Sequence, residues 1–222
     1  MAYDHEEQEQ LATLKAWWQR NGNLTSWVLI VALAGYSGWA GWQYYQRTQA
    51  AQAGQLYDEL QNAIAAKDTA KVMRATSDMQ SRFSGTAYAQ MSALAAAKVA
   101  FDANDLKTAK TQLHWVAEHG TEEYKAIAKL RLAGVLLDEK AYDEALKVLA
   151  TATVAQFAGA VADRKGDILV AQNKLADART AYLAAIAATD KNNPGRQLIQ
   201  VKLEAIGGTV PEDKAKADKA AA

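Results

Sequence analysis

Histidine is the side chain best suited to proton transfer and metal binding near neutral pH, and the sequence has three, His5, His114 and His119. His114 and His119 are five apart, so on a helix they leave different faces, whereas a zinc pair of the H-E-x-x-H kind needs a spacing of four. His114 and Glu118 do stand at i, i+4, but one imidazole beside one carboxylate makes a surface pair, not a metal site. Cysteine is absent, which removes disulfides, thiolate zinc sites, cysteine nucleophiles and lipid-modified cysteine anchors together. No G-x-S-x-G elbow, phosphate-binding loop or dinucleotide fingerprint occurs. The 25 basic and 25 acidic residues cancel, so the excess of Lys and Arg that nucleic-acid binders use to displace counterions is missing. These absences predict a protein that is no enzyme, carries no metal or cofactor and binds no nucleic acid. Function then rests on binding surfaces and on the elements that present them.

Those elements are predicted to be helices. The 222 residues, half of them hydrophobic, suffice for one ordinary domain plus attachments. Both prolines, Pro194 and Pro211, come late, and the stretch from Gln43 to Asn193 is rich in Ala, Leu, Lys, Gln and Glu, the good helix formers. An all-α fold is expected.

The first element is "LTSWVLIVALAGYSGWAGWQYY", Leu24 to Tyr45, 22 residues without a charge. As a helix it spans roughly 33 Å, close to a hydrocarbon core of about 30 Å. Trp27 stands near one end and Trp42, Tyr44 and Tyr45 at the other, the placement of an interfacial aromatic belt. Ala32-Leu33-Ala34 resembles a signal-peptidase site, but the leader is long and acidic, with Asp4, Glu6, Glu7 and Glu9 against Lys15 and Arg20, and the apolar run continues past Ala34. A cleaved signal would have a short basic start, so an uncleaved signal-anchor is predicted. Lys15 and Arg20 on one flank, against Arg47 on the other, point the N-terminus to the cytoplasm and the larger part outward. Ala34 and Gly38 are four apart, as are Ser37 and Gly41. Such small pairs let a neighbouring membrane helix approach closely, although Gly and Ala are common in membrane helices anyway. In the tail, Leu11, Leu14 and Trp18 share a face beside Trp17, which reads as an amphipathic helix lying in the membrane interface or docking on a cytosolic partner. Asn21-Gly22 is its expected stop.

Beyond the anchor the sequence repeats. "SALAAAKVAFDANDLKTAKTQLHWV", "AKLRLAGVLLDEKAYDEALKVLATA" and "ADRKGDILVAQNKLADARTAYLAAI" align. Each has a small residue (Ala97, Ala133, Gly166) 12 before an alanine (Ala109, Ala145, Ala178), with a polar turn between them (Asn104-Asp105, Glu139-Lys140, Asn173-Lys174). The alanines are 36 and then 33 apart, near the tetratricopeptide (TPR) period of about 34. Two antiparallel helices pack closely where both contact points are small, and Leu113, Leu149 and Tyr182, four past each alanine, fill the space to the next unit. Gln55 to Ala66 and Lys71 to Phe83 form a fourth, degenerate hairpin, with Leu56, Leu60 and Ile64 on one stripe. "NNPGRQLIQVKLEAIGG" is a capping helix with Asn193 as N-cap, Pro194 at the first position and Gly207 as stop. The expected division is a tail at 1–23, an anchor at 24–45, a stalk at 46–54 that either continues the helix or breaks at Gly54, a TPR-like solenoid at 55–207 and a disordered tail at 208–222.

"LRLAGVLLDEKAYDEALKVL" and "AVADRKGDILVAQNKLADARTAY", with the acidic tail and an anchor ending in Gly-Trp and then Trp-Gln-Tyr-Tyr, resemble the YfgM-type ancillary subunits of the bacterial SecYEG translocon. The resemblance runs from the tail to about Ile206. It implies a single-pass inner-membrane protein with its helical domain in the periplasm. It further implies association with the translocon and with a membrane-anchored chaperone or prolyl isomerase of the PpiD kind, and a role in handing newly translocated, unfolded proteins to periplasmic chaperones. No catalytic motif comes with it. The anchor and repeats alone fit a scaffold for another envelope complex, in division or wall synthesis, equally well.

In TPR arrays the first helix of each pair builds the concave wall. By that analogy Met91, Leu94, Lys98 and Phe101 line it first, then Ile127, Leu130, Gly134 and Leu137, then Ala160, Asp163, Asp167 and Val170. Several of these apolar residues fit inter-repeat core as well. Leu94, Leu130 and Asp163 stand where an acidic-tail clamp of the chaperone-binding kind would need lysine. An apolar floor with mixed charge suits helical or unfolded segments.

Overall fold

A computed structural model describes residues 3–210, with side chains from Glu9 onward. Among these residues there are nine α-helices, one short 3-10 turn and no strand. The helices are α1 (Tyr3–Ala65), α2 (Thr69–Arg82), α3 (Ala87–Asp102), α4 (Leu106–His119), α5 (Glu122–Asp138), α6 (Tyr142–Ala150), α7 (Ala158–Ala171), α8 (Leu175–Ala188) and α9 (Pro194–Ala205). Two compact units divide between Gln52 and Ala53.

The first unit is helical throughout its described residues, so the expected stop at Asn21-Gly22 does not hold. Side chains there bond back onto the helix: the Asn21 side-chain Nδ2 donates to the Trp17 carbonyl (3.3 Å) and the Thr25 hydroxyl to the Asn21 carbonyl (3.0 Å). The Trp18 indole lies over Gly22, with its Nε1 3.2 Å from where a Cβ would sit. A glycine stops a helix where the chain takes a left-handed turn, and Gly22 takes none. Residues 46–54 are helical too. Gly54 does not break the helix, and the Tyr88 hydroxyl oxygen lies at an ordinary contact distance, 3.5 Å from its would-be Cβ.

The second unit is the stacked array. The end of α1 packs with α2, and Ala63, Val72 and Ala96 are buried together, as are Ala53, Met79, Phe83 and Ala89. The pairs α3/α4, α5/α6 and α7/α8 come next along the chain, and α9 closes the stack. Ala109, Ala145 and Ala178 are fully buried, and Ala97, Ala133 and Gly166 are buried opposite them. Leu113, Leu149 and Tyr182 fill the core as their position past each alanine required. The Asn193 side chain accepts from the Gly195 amide at 2.8 Å, and Gly207 ends α9 at φ 74°. Residues 211–222 of the expected tail lie outside the described residues. Of the rest of that tail, Val210 is not free but buried against Tyr182, Ile199 and Leu203.

The degenerate hairpin proves geometrically equivalent to the others. Lys67, Asn104, Lys140 and Asn173, spaced 37, 36 and 33, are the non-glycine residues with positive φ among those described, at 56–62°. Each ends a helix in the same pair of bonds, for example Lys140 N–H to the Leu137 carbonyl (3.0 Å) and Ala141 N–H to the Leu136 carbonyl (2.8 Å), the Schellman motif. A side chain in this conformation costs roughly 1–2 kcal/mol, part of which glycine gives back through its freer unfolded chain. Lys140, exposed at its turn, is therefore expected to stabilise the domain by about 0.5–1 kcal/mol when changed to glycine. A denaturant midpoint that rises with unchanged slope checks this, and a fall would mean that the turn is not left-handed in solution.

Candidate protein-binding site

His114 and His119 do not line the groove that α3, α5 and α7 border. His119 stacks on Trp115, with ring centroids 4.9 Å apart, and its Nδ1 is 3.0 Å from the Trp115 carbonyl. His114 is exposed, and the side chain of His5 lies outside the described residues. Among the described residues no three His, Cys, Asp or Glu side chains are grouped to hold a metal.

The first helices of three successive hairpins, α3, α5 and α7, border a groove of about 420 Å³. Of the expected wall positions, Lys98, Phe101 and Gly134 line it. Arg131, Asp138 and Arg164 line it as well, each one position past an expected residue, Leu130, Leu137 and Asp163. Leu130 and Leu137 turn their side chains toward the core, as does Ile127, and Leu94 is 6% exposed within it. The signal was present: an amphipathic wall helix gives its largest aliphatics to the core and its charges to the open face, so Arg131, Gly134 and Asp138 are the accessible row. Met91 is half-buried on α3, Ala160 is exposed on α7, and Val170 packs against the buried cluster of Leu169, Ala178 and Ala181.

Asp163 and Asp167 have a different task. Lys202 of α9 reaches Asp163 Oδ1 and Asp167 Oδ1, each at 2.9 Å. The Tyr182 hydroxyl donates to Asp167 Oδ1 at 2.9 Å. One cation thus ties the capping helix to α7, with α8 between them. Burial works against charge on Lys202, but hydrogen bonds to Asp167 and Asp163, and then their charges, more than offset it and lift its pKa above the ordinary lysine value. Burial, then the bond to Asp167 and both carboxylate charges, raises the Tyr182 hydroxyl as well. Both groups hold their protons more tightly when folded, so the stability they add is complete below about pH 10, near their unfolded values, and is lost as pH rises through the higher folded values. Lys202→Met is expected to cost about 1–2 kcal/mol near neutral pH, since the site is partly solvated. It is also expected to flatten the fall in stability expected of wild type above about pH 10, and a chemical-denaturation series against pH measures both.

In the first unit Leu29, Ile30, Val31 and Leu33 are 53–66% exposed. The helix there is long and apolar enough to cross a membrane, and its apolar stretch is not buried against the rest of the chain. A Cβ placed on Gly35, Gly38 or Gly41 meets nothing within 4 Å, so the row with Ala34 and Ser37 is open along the helix.

Residues 15–208 match the tetratricopeptide repeat-like domain family. The chain is 31% identical over 208 residues to the ancillary SecYEG translocon subunit of Neisseria gonorrhoeae, an alignment covering 93% of this chain and all of that protein. The chain belongs to this family. The subunit of the same name from Haemophilus influenzae is 32% identical over 183 residues, covering 82% of this chain and 89% of its own. That of Escherichia coli is 32% identical over 117 residues, 52% of this chain and 56% of its own. The family match begins at Lys15 and ends at Gly208, so the apolar helix belongs to the family unit along with every hairpin and the cap.

Proposed function

We propose that this chain is a non-enzymatic adaptor of the bacterial inner membrane that associates with the SecYEG translocon and passes newly translocated proteins to periplasmic chaperones. The observation that carries the proposal is the joining, in one family unit, of an apolar helix left unburied and a TPR-like array, in relatives named as ancillary SecYEG translocon subunits. The N-terminus lies in the cytoplasm and the array in the periplasm. Ala34, Ser37, Gly38 and Gly41 give a neighbouring membrane helix close approach. The array receives unfolded segments and a membrane-anchored prolyl isomerase of the PpiD kind. A reporter active only outside the cytoplasm, fused to the C-terminus, tests the orientation, and an inactive but stably made fusion rejects it. A photo-crosslinker at Phe101 tests the hand-off. Pulse-labelled exported proteins are expected to be captured briefly and then chased away, and no labelled capture under active export rejects the role.

A further inference from the structure

Three cationic side chains from three successive first helices meet at the groove: Lys98 on α3, Arg131 on α5 and Arg164 on α7. Asp138 is the one carboxylate among the described residues lining it. None of the three cations is consumed by the fold. Lys98 pairs at 2.7 Å with Asp102, both side chains more than half exposed, an arrangement worth little in water. Arg131 spends one donor on the Leu94 carbonyl at 3.4 Å. Arg164 stands 3.6 Å from Asp167, whose carboxylate Lys202 and Tyr182 already hold. The Arg164 guanidinium lies over Gly134, its Cζ 3.7 Å from the position a Cβ would take, an ordinary contact distance that only a longer side chain would crowd. Val135 lies in the apolar floor, and Phe101 is 40% exposed beside it.

We propose that this groove binds an extended segment of a partner protein in which a carboxylate stands next to an apolar side chain. The planar forks of Arg131 and Arg164 hold the carboxylate, since guanidinium matches it in bidentate geometry. The apolar side chain enters against Phe101 and Val135. The two guanidinium groups of Arg131 and Arg164 turn away basic segments, which gives the site a preference among unfolded chains that an apolar groove alone lacks. This deepens the adaptor reading by naming the segment it takes, and rests on that reading for its biological occupant.

The test uses the full chain in detergent and three short labelled peptides repeating Ser-Leu-Glu, Ser-Leu-Gln and Ser-Leu-Lys, with binding read by fluorescence anisotropy. The acidic peptide is expected to bind about tenfold or more tighter than the other two, as charge-assisted pairs require, and to weaken with salt. Arg131→Gln with Arg164→Gln is expected to erase that preference, while Lys147→Glu, outside the groove on α6, keeps it. Gly134→Leu is expected to weaken acidic binding with every charge retained. Equal binding of the three peptides to wild type, which needs no variant to fold, overturns the inference, as does an unchanged preference in the double variant. Recovery of SecYEG with the chain is read separately, so loss of the peptide preference with SecYEG retained rejects the groove alone.

Discussion

Replacing both Leu29 and Leu33 by arginine is expected to move the full chain from the alkali-resistant membrane fraction to the soluble one. Arginine near the centre of a spanning helix, where Leu33 stands, costs about 2.5–3.5 kcal/mol and less toward the end, where Leu29 stands, so with the leucines lost the pair amounts to roughly 4 kcal/mol or more against insertion. Leu29 and Leu33 are 53% and 63% exposed, so the change removes no packing from the rest of the chain. A chain whose apolar helix was buried in a soluble core would already be in the soluble fraction as wild type and would unfold on charge insertion. Alkaline carbonate extraction reads the partition, and circular dichroism of the released protein reads the fold. Wild type is expected in the pellet and the double variant in the supernatant with its helices intact. Retention of the variant in the pellet as folded protein would mean that something other than this helix holds the chain to the membrane.

The second large effect concerns Gly166 on α7. In a helix interior, glycine to alanine ordinarily stabilises by about 0.5–1 kcal/mol. Here the sign is expected to reverse. A Cβ on Gly166 would fall 2.9 Å from Tyr182 Cζ and closer still to other atoms of that ring. Tyr182 is 3% exposed, packed with Ala185, Ile199 and Leu203, so the ring has nowhere to withdraw. Overpacking of this kind costs about 1–3 kcal/mol, and moving the ring also endangers the hydrogen bond to Asp167, worth about 1.5–3 kcal/mol to a charged acceptor. A net loss of about 2 kcal/mol is expected for Gly166→Ala, read as a lower denaturant midpoint. A gain would mean that α7 and α8 sit farther apart than the structure has them.

The array was legible because its physics is periodic. Small residues at Ala97, Ala133 and Gly166, with their partners 12 on, mark where helices touch, and larger side chains would hold the helices apart. The fourth hairpin was harder to align, because Leu60 and Val72 stand where the others have a small residue and an alanine, although its turn at Lys67 has the same backbone conformation. The Asn21-Gly22 stop failed because a stop signal acts only when the chain beyond it leaves the helix, and the next segment is the apolar run, itself helical. Lys98, Phe101 and Gly134 line the groove where the pattern puts them, but on α5 the two leucines stand one position before the lining residues. At Leu130/Arg131 and Leu137/Asp138 sequence spacing alone leaves both frames open, and burial of the leucines in the core decides between them. The Lys202 tie was out of reach, since it joins residues 39 and 35 apart in sequence and no local pattern encodes that meeting.

The adaptor role turns most directly on what accompanies the full chain out of the membrane. Purified through a C-terminal tag from native membranes in a mild detergent, it is expected to bring SecY, SecE and SecG with it, and to cross-link to a translocon helix from positions along Ala34 to Gly41. Recovery of the intact, tagged chain without any SecYEG component, or in company with a different envelope complex instead, would contradict that role.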